Sequence, residues 1–288
     1  MDFTTISVFI KDDPLMGGNP LAVFPDVSEE VPTGRMQAVA KTMNLSESSF
    51  VTRAATDSYD VRIFTPHTEL PFAGHPTIGT AWVLRQLGLL RSDEMTQNSP
   101  AGATPVRATG DLIWFVRQGS SSEDLENRSP DALRKIAEAL RVDERDIGLE
   151  AREIGRSGFF RPAFANAAFN LLMVPLRSVE ALGRCRPDAA LVRELAEGIY
   201  CFTGAGAGKI RTRGFFAPLG IHEDAATGVA AAALGMYLGA RVEPIEAEIT
   251  QGVEMGRPSA IFLKASEGEA HIGGRCAVIY KGHLEASL

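Results

Sequence analysis

A helix that is apolar on every side has to be buried, and a chain that carries one must arrange the rest of itself to cover it. Residues 61–87, VRIFTPHTELPFAGHPTIGTAWVLRQL, predict such a helix. Residues 61–64 read as a short apolar strand and 65–73 as a loop holding Pro66, Glu69 and Pro71. Gly74-His75-Pro76 then opens the helix, which runs to about Leu87 and stops at Gly88. Ile78, Gly79, Thr80, Ala81, Trp82, Val83 and Leu84 make it apolar and small on nearly every side. Proline at the first helical position is preset for the helical φ and gives up only an N–H that had no partner. The other N–H groups of the opening turn point out of the loop at the positive end of the helix dipole. They make a seat for a carboxylate or phosphate beside His75. A second object of this kind follows: Asp224-Ala225-Ala226-Thr227-Gly228 leads into a small-residue helix over 229–238, with Asp224 suited to be its N-cap.

The remaining pattern is mostly strand. Residues 3–10 and 21–24 read as strands joined through Gly17-Gly18-Asn19-Pro20. A helix over 35–43 puts Met36, Val39, Ala40 and Met43 on one face. Asn44-Leu45-Ser46-Glu47 breaks it ahead of a strand over 48–52, and strands follow at 106–109 and 112–117. Residues 118–130, QGSSSEDLENRSP, are polar, serine-rich and acidic, the composition of a linker. Beyond it the pattern predicts a helix over 131–140 started by Ser129-Pro130-Asp131, a strand over 168–175 and a helix over 189–197. Strands follow at 199–203, 209–216, 246–250, 260–265 and 277–280. The Gly204-Ala205-Gly206-Ala207-Gly208 bend lacks the GxxxxGK[ST] spacing of a phosphate loop and reads as a plain turn.

Composition excludes several functions. A net charge of −7 argues against a nucleic-acid or anionic-membrane surface. No apolar run reaches the length of a membrane span, and MDFTTISVFIKDD lacks the basic start of a signal peptide, so a cytoplasmic location is expected. Cys185, Cys201 and Cys276 are far apart and read as buried thiols. His67, His75, His222, His271 and His283 include no i, i+4 pair and no His–Cys cluster, so no metal site is expected.

The two halves align on themselves. Pro66 and Pro218 stand 152 residues apart (218 − 66), and the same shift lays Phe64 on Phe216, Phe50 on Phe202 and the first buried helix on the second. Asn19-Pro20-Leu21-Ala22-Val23 comes within one residue of Asn170-Leu171-Leu172-Met173-Val174. An order of strand, helix, strand, strand, loop and buried helix that occurs twice predicts an α+β protein of two similar domains. Each would wrap a curved, mostly antiparallel sheet around its central helix. The expected divisions are 1–118 with a C-terminal strand at about 278–288, and 128–277. The two helix N-termini would then face each other across a cleft, where a small-molecule carboxylate is the expected ligand.

Four runs carry a family likeness. Asn44-Leu45-Ser46-Glu47, Glu69-Leu70-Pro71-Phe72-Ala73-Gly74-His75-Pro76, Glu223-Asp224-Ala225-Ala226-Thr227-Gly228 and Gln251-Gly252-Val253-Glu254-Met255-Gly256-Arg257-Pro258 resemble the PhzF (phenazine-biosynthesis-like) family. The resemblance spans essentially the whole chain. It implies the diaminopimelate epimerase fold with two pseudo-symmetric domains, no metal or organic cofactor, and a homodimer. Racemases of that fold set a cysteine at each helix N-terminus; the matching positions are Ala73 and Ala225, which move no proton. The family's active member isomerises a hydroxylated dihydro-anthranilate. By resemblance Glu47 is the acid/base, His75 and Asp224 are its catalytic partners, and Gly74, Ala226, Thr227 and Gly228 bind substrate. Thr227 and Gly228 are expected to act through main-chain N–H groups and close helix packing rather than through side-chain chemistry. Where the family's phenazine enzymes carry a serine after Asp-Ala-Ala-Thr-Gly, this chain has Val229.

Taken alone, a glutamate before a strand is more often solvated than catalytic; the resemblance is what assigns Glu47 its role. In a partly dry cleft a carboxyl group keeps its proton near neutral pH and can hand it over. The reading that follows is a cofactor-independent isomerase of a small cyclic or amino-acid-like carboxylate. Two alternatives stay open. One is an epimerase or racemase working through Glu47 and Asp224; the other is a carboxylate-binding protein without catalysis, which Val229 would favour.

Overall fold

The computed structural model describes residues 1–125, 131–242 and 244–285. The Ser129-Pro130 helix signal and the last five residues of the expected linker lie outside them, as do residues 286–288 of the C-terminal strand. The fold is α+β and dominated by strands. It divides into two compact units, Met1–Val116 with Gly273–Leu288, and Arg117–Ile272.

The first unit contains β1 (Asp2–Val8), β2 (Asn19–Phe24), α1 (Thr33–Met43), β3 (Glu47–Ala54), β4 (Ser58–Phe64), β5 (Glu69–Leu70), α2 (Gly74–Gln86), β6 (Glu94–Ser99), β7 (Gly102–Thr109) and most of β8 (Leu112–Gln118). The last strand of the chain, Cys276–His283, returns to pair antiparallel with β1. β1 and β2 are antiparallel, β2 and β3 parallel, β3 and β4 antiparallel, and β4 and β6 parallel. β2 is buried on both sides, and successive side chains go to opposite faces of the sheet. Ala22 and Phe24 join Met36, Val39 and Ala40 of α1 and Phe50 and Phe64 of the neighbouring strands in one core cluster. Leu21 points the other way, to α2, whose Gly79 lies against Leu21, Ile6 and Val8. α2 is buried from Gly74 to Ala81.

The second unit contains β9 (Ser120–Ser121), α3 (Ala132–Leu140), β10 (Leu149–Glu150), β11 (Phe159–Phe160), β12 (Ala163–Asn166) and β13 (Asn170–Pro175). α4 (Val179–Arg184), α5 (Ala189–Leu195), β14 (Ile199–Gly204), β15 (Lys209–Phe216), β16 (Ile221–Asp224) and α6 (Gly228–Gly239) follow, then β17 (Ile245–Gln251), β18 (Ser259–Ser266) and β19 (Glu269–Gly274). β13 and β14 are parallel, β14 and β15 antiparallel, and β15 and β17 parallel. Leu172, Ile199, Cys201 and Phe215 pack with Ile136, Leu140, Ala181, Leu182 and Val192 of α3, α4 and α5 on one face. α6 is buried from Gly228 to Leu238, and its Tyr237 ring meets Phe202 with centroids 5.4 Å apart. At Gly235 a Cβ would come within 2.7 Å of Ala270, so small residues let this helix lie close to the sheet.

Several expectations are corrected. Pro76 is the third residue of α2, not the first; Ala73 is the N-cap and Gly74 the opening residue. Asp224 ends a strand and is not an N-cap, because α6 is capped at Thr227, two residues later than the 152-residue shift from α2 predicts. Glu47 begins β3 rather than ending the α1 break, which Asn44 makes with a φ of 50°. β6, β12, β19 and α4 have no counterpart in the hydropathy reading, because their short runs mix polar residues into the pattern.

Close packing at α2 gives a direct test. A Cβ on Gly79 would fall 2.6 Å from Leu21 Cδ2 and 2.8 Å from Ile6 Cδ1 and Val8 Cγ2. Gly79→Ala should lower the unfolding free energy by about 1–3 kcal/mol in urea titrations. Gly34→Ala, on the exposed side of α1 with nothing within 4 Å, should raise it by about 0.5–1 kcal/mol.

Candidate functional site

Strand register decides which side chains reach the start of α2. Leu21 of β2 is paired with Glu47 of β3, and residues directly opposite each other in a sheet share a face. Leu21 faces α2, so Glu47 does too. Glu47 is 7% exposed and His75, in the first turn of α2, is 3% exposed. Their Oε2 and Nε2 atoms lie 3.1 Å apart. Burial pushes the His75 imidazole down to about pKa 3, against a weaker upward pull from a hydrogen bond with the Pro20 carbonyl. At neutral pH the ring is therefore uncharged. Asn19, two residues before Leu21 and on the same face, stands on the far side of the ring, its Nδ2 3.4 Å from His75 Nδ1. Its Oδ1 accepts from the Ser46 hydroxyl at 3.0 Å. The first main-chain bond of α2 runs from Thr77 N to Ala73 O, so the amides of Gly74 and His75 precede the ladder. Pro76 has no N–H to add.

In the second unit the same logic sorts Glu223 from Asp224. Asp224 is paired with Gly214, and Gly214 with Tyr200, placing Asp224 on the face that Tyr200, Phe202 and Thr212 turn to α6. Glu223 goes to the opposite face. There it takes both Nε and Nη2 of Arg213 at 2.8 Å, while Arg213 Nη1 bonds the Leu182 and Cys185 carbonyls. This fork leaves Arg213 5% exposed and anchors the strand that ends at Asp224. Asp224 itself is 9% exposed, and its Oδ2 accepts from Thr227 Oγ1 at 2.6 Å. Thr227, expected from sequence to act through its main-chain N–H, has that amide donating to Gln251 Oε1 at 3.2 Å. The first main-chain bond of α6 joins Ala231 N to Thr227 O, so the amides of Gly228, Val229 and Ala230 precede that ladder. Ala225 and Ala226 are buried just ahead of it.

The structure thus brings Glu47 and His75 together in one unit, and Asp224 and Thr227 in the other. It adds Asn19 and Gln251, which hydropathy alone did not single out. Asn19-Pro20 reads as turn chemistry and Gln251 as the first residue of a family-like run; only register shows both inside. Gln251 ends β17, and the turn begins after it at Gly252. Cys185, Cys201 and Cys276 are free and buried. Among the described residues no cluster of three or more His, Cys, Asp or Glu side chains could hold a metal ion, and no helix is long and apolar enough to cross a membrane.

The depressed His75 titration has a signed consequence for stability. Folded, the ring takes its proton only near pH 3, whereas unfolded it does so near its ordinary 6.5. Between these values the unfolded chain binds more protons, so stability is complete above about pH 6.5 and is lost progressively as pH falls toward 3. Urea titrations across that window should show a slope contribution of up to about 1.4 kcal/mol per pH unit, which His75→Asn removes. Equal slopes in both proteins would contradict it.

Comparison with known proteins bears on what this site belongs to. The family model described as phenazine biosynthesis-like protein matches residues 6–282. The trans-2,3-dihydro-3-hydroxyanthranilate isomerase of Pseudomonas fluorescens is 40% identical over 261 residues, covering 88% of this chain and 86% of that protein. Among solved structures, a predicted epimerase from Pseudomonas aeruginosa superposes with a TM-score of 0.78 at 26% identity, covering 99% of both chains. A PhzF-family protein of Bacillus anthracis superposes with a TM-score of 0.81 at 20% identity, again over 99% of both. By sequence and fold together, the chain belongs to the phenazine biosynthesis-like (PhzF) protein family.

Proposed function

We propose that this protein is an isomerase of the PhzF type that acts on a ring carboxylate related to trans-2,3-dihydro-3-hydroxyanthranilate, with Glu47 as the group that moves the proton. The observation that carries the reading is the 3.1 Å contact between Glu47 Oε2 and His75 Nε2. An uncharged imidazole forms no ion pair with the carboxyl group beside it, and we read Glu47 as holding the proton that it delivers. A carboxylic acid held against a base that burial keeps neutral gives up its proton to a substrate carbon without an ion pair to hold it back. Glu47 passes its proton to one carbon of the conjugated system and recovers one from another, so the composition of the substrate is unchanged. The amides that begin α2 serve as polar contacts for the substrate carboxylate, and family likeness assigns Asp224 a polar contact to substrate as well.

The duplication expected from sequence is part of this reading. Leu21 pairs with Glu47 in the β2–β3 ladder and Leu172 with Ile199 in the β13–β14 ladder, offsets of 151 (172 − 21) and 152 (199 − 47) residues. Both ladders are parallel, and in each unit a buried helix follows the next hairpin. We therefore read the chain as two pseudo-symmetric halves descended from one.

Glu47→Gln is the decisive variant. It should lower kcat on trans-2,3-dihydro-3-hydroxyanthranilate by about 10³-fold, with circular dichroism and the melting transition close to wild type. Undiminished turnover would remove Glu47 from the mechanism. Running the reaction in D₂O distinguishes the chemistry: deuterium at a shifted ring carbon marks an isomerisation, and deuterium with inversion at a stereocentre marks an epimerisation.

A further inference from the structure

Gln251 is fully buried, and its side-chain amide uses every hydrogen-bonding position it has at the start of α6. Nε2 donates to the Asp224 carbonyl at 2.8 Å and to Thr227 Oγ1 at 2.9 Å. Oε1 accepts from the Tyr200 hydroxyl at 2.8 Å and from Thr227 N at 3.2 Å. The neighbours allow only this orientation. The Asp224 carbonyl can only accept and the Thr227 amide can only donate, so a flipped Gln251 would face an acceptor with its oxygen and a donor with its nitrogen. Burial pushes the Tyr200 phenol well above its ordinary pKa, so it stays a donor at any physiological pH. Register explains why these groups meet: Gln251 is paired with Thr212, and Thr212 with Phe202, all on the face that carries Asp224.

The direction of the next bond follows. Thr227 Oγ1 receives a proton from Gln251 Nε2, so its own single proton is left for Asp224 Oδ2, 2.6 Å away. We propose that Gln251 is a positioning residue, acting through the Thr227 hydroxyl to hold the Asp224 carboxylate as a hydrogen-bond acceptor of fixed orientation. Nothing in this relay requires Gln251 to touch substrate. Of the other ionisable groups on these strands, Arg213 and Glu223 are paired with each other on the opposite face and do not enter it. The inference rests on Asp224 being part of the working site, and it adds the residue that aims it.

A double-mutant cycle tests the relay without depending on turnover. In protein carrying ¹³C-carboxyl aspartate, the Asp224 signal is the one lost in Asp224→Asn. Thr227→Val should raise the Asp224 titration midpoint by about one pH unit, and Thr227→Ser should restore it. Gln251→Met should shift it the same way by a smaller amount and add nothing in the Thr227→Val background. A Gln251→Met shift that adds in full to that of Thr227→Val, or no shift from Thr227→Val, would overturn the proposal. If Gln251→Met does not fold, the isosteric Gln251→Glu takes its place. Charge repulsion is then common to both backgrounds, and the shift should be about half a unit larger with Thr227 present; equal shifts refute the relay. With trans-2,3-dihydro-3-hydroxyanthranilate, Thr227→Val and Gln251→Met should each lower kcat about tenfold and leave KM within twofold. Should wild-type protein fail to turn over this compound, the proposed function falls while the titration cycle still judges the relay.

Discussion

The structure depends on helices that have no side to show to water. α6 is buried along eleven consecutive residues, Gly228 to Leu238, and α2 along its first eight. Such a helix satisfies its own interior hydrogen bonds but not the N–H groups of its first turn. Covering the helix while leaving that turn approachable is the constraint the strands meet. They do so with small residues at the contacts, Gly79 against Leu21 and Gly235 against Ala270, so that the helices lie close to their sheets. The same opening turns lie beside polar residues, Glu47 and His75 at α2 and Asp224 and Thr227 at α6.

What the strands deliver to those turns is set by alternation. Along β2, Ala22 and Phe24 supply the core under α1, while Asn19 and Leu21 serve α2. Along β16, Glu223 is spent on a buried fork with Arg213 and its neighbour Asp224 is turned toward α6. A one-residue slip in either ladder would exchange the two roles. The Arg213–Glu223 fork therefore does more than fill a buried position. A guanidinium whose donors are shared between Glu223 and two carbonyls of the α4 region ties the strand that ends at Asp224 to the helical layer behind the sheet.

Burial also sets the chemistry. A histidine beside a glutamate in water would form an ion pair. Here desolvation outweighs the hydrogen bond to the Pro20 carbonyl and keeps the ring neutral, so the contact pairs a carboxyl group with an uncharged imidazole. The two units hold their polar residues differently. His75 is braced by Asn19 and a carbonyl, whereas Asp224 is braced by a hydroxyl whose direction a buried amide controls.

The sequence by itself determined the buried helices, most of the strands and the 152-residue recurrence, because apolar periodicity and small-residue runs are local signals. Family likeness pointed to Glu47, His75 and Asp224, which no spacing rule would have picked out. Tertiary structure alone decided that Glu47 opens a strand, that α6 is capped at Thr227 rather than Asp224, and that Asn19 and Gln251 lie inside. The reason is physical: whether a polar residue at a strand end faces water or a helix terminus depends on the register of a partner strand distant in sequence. The chain must close its ladders before that register exists.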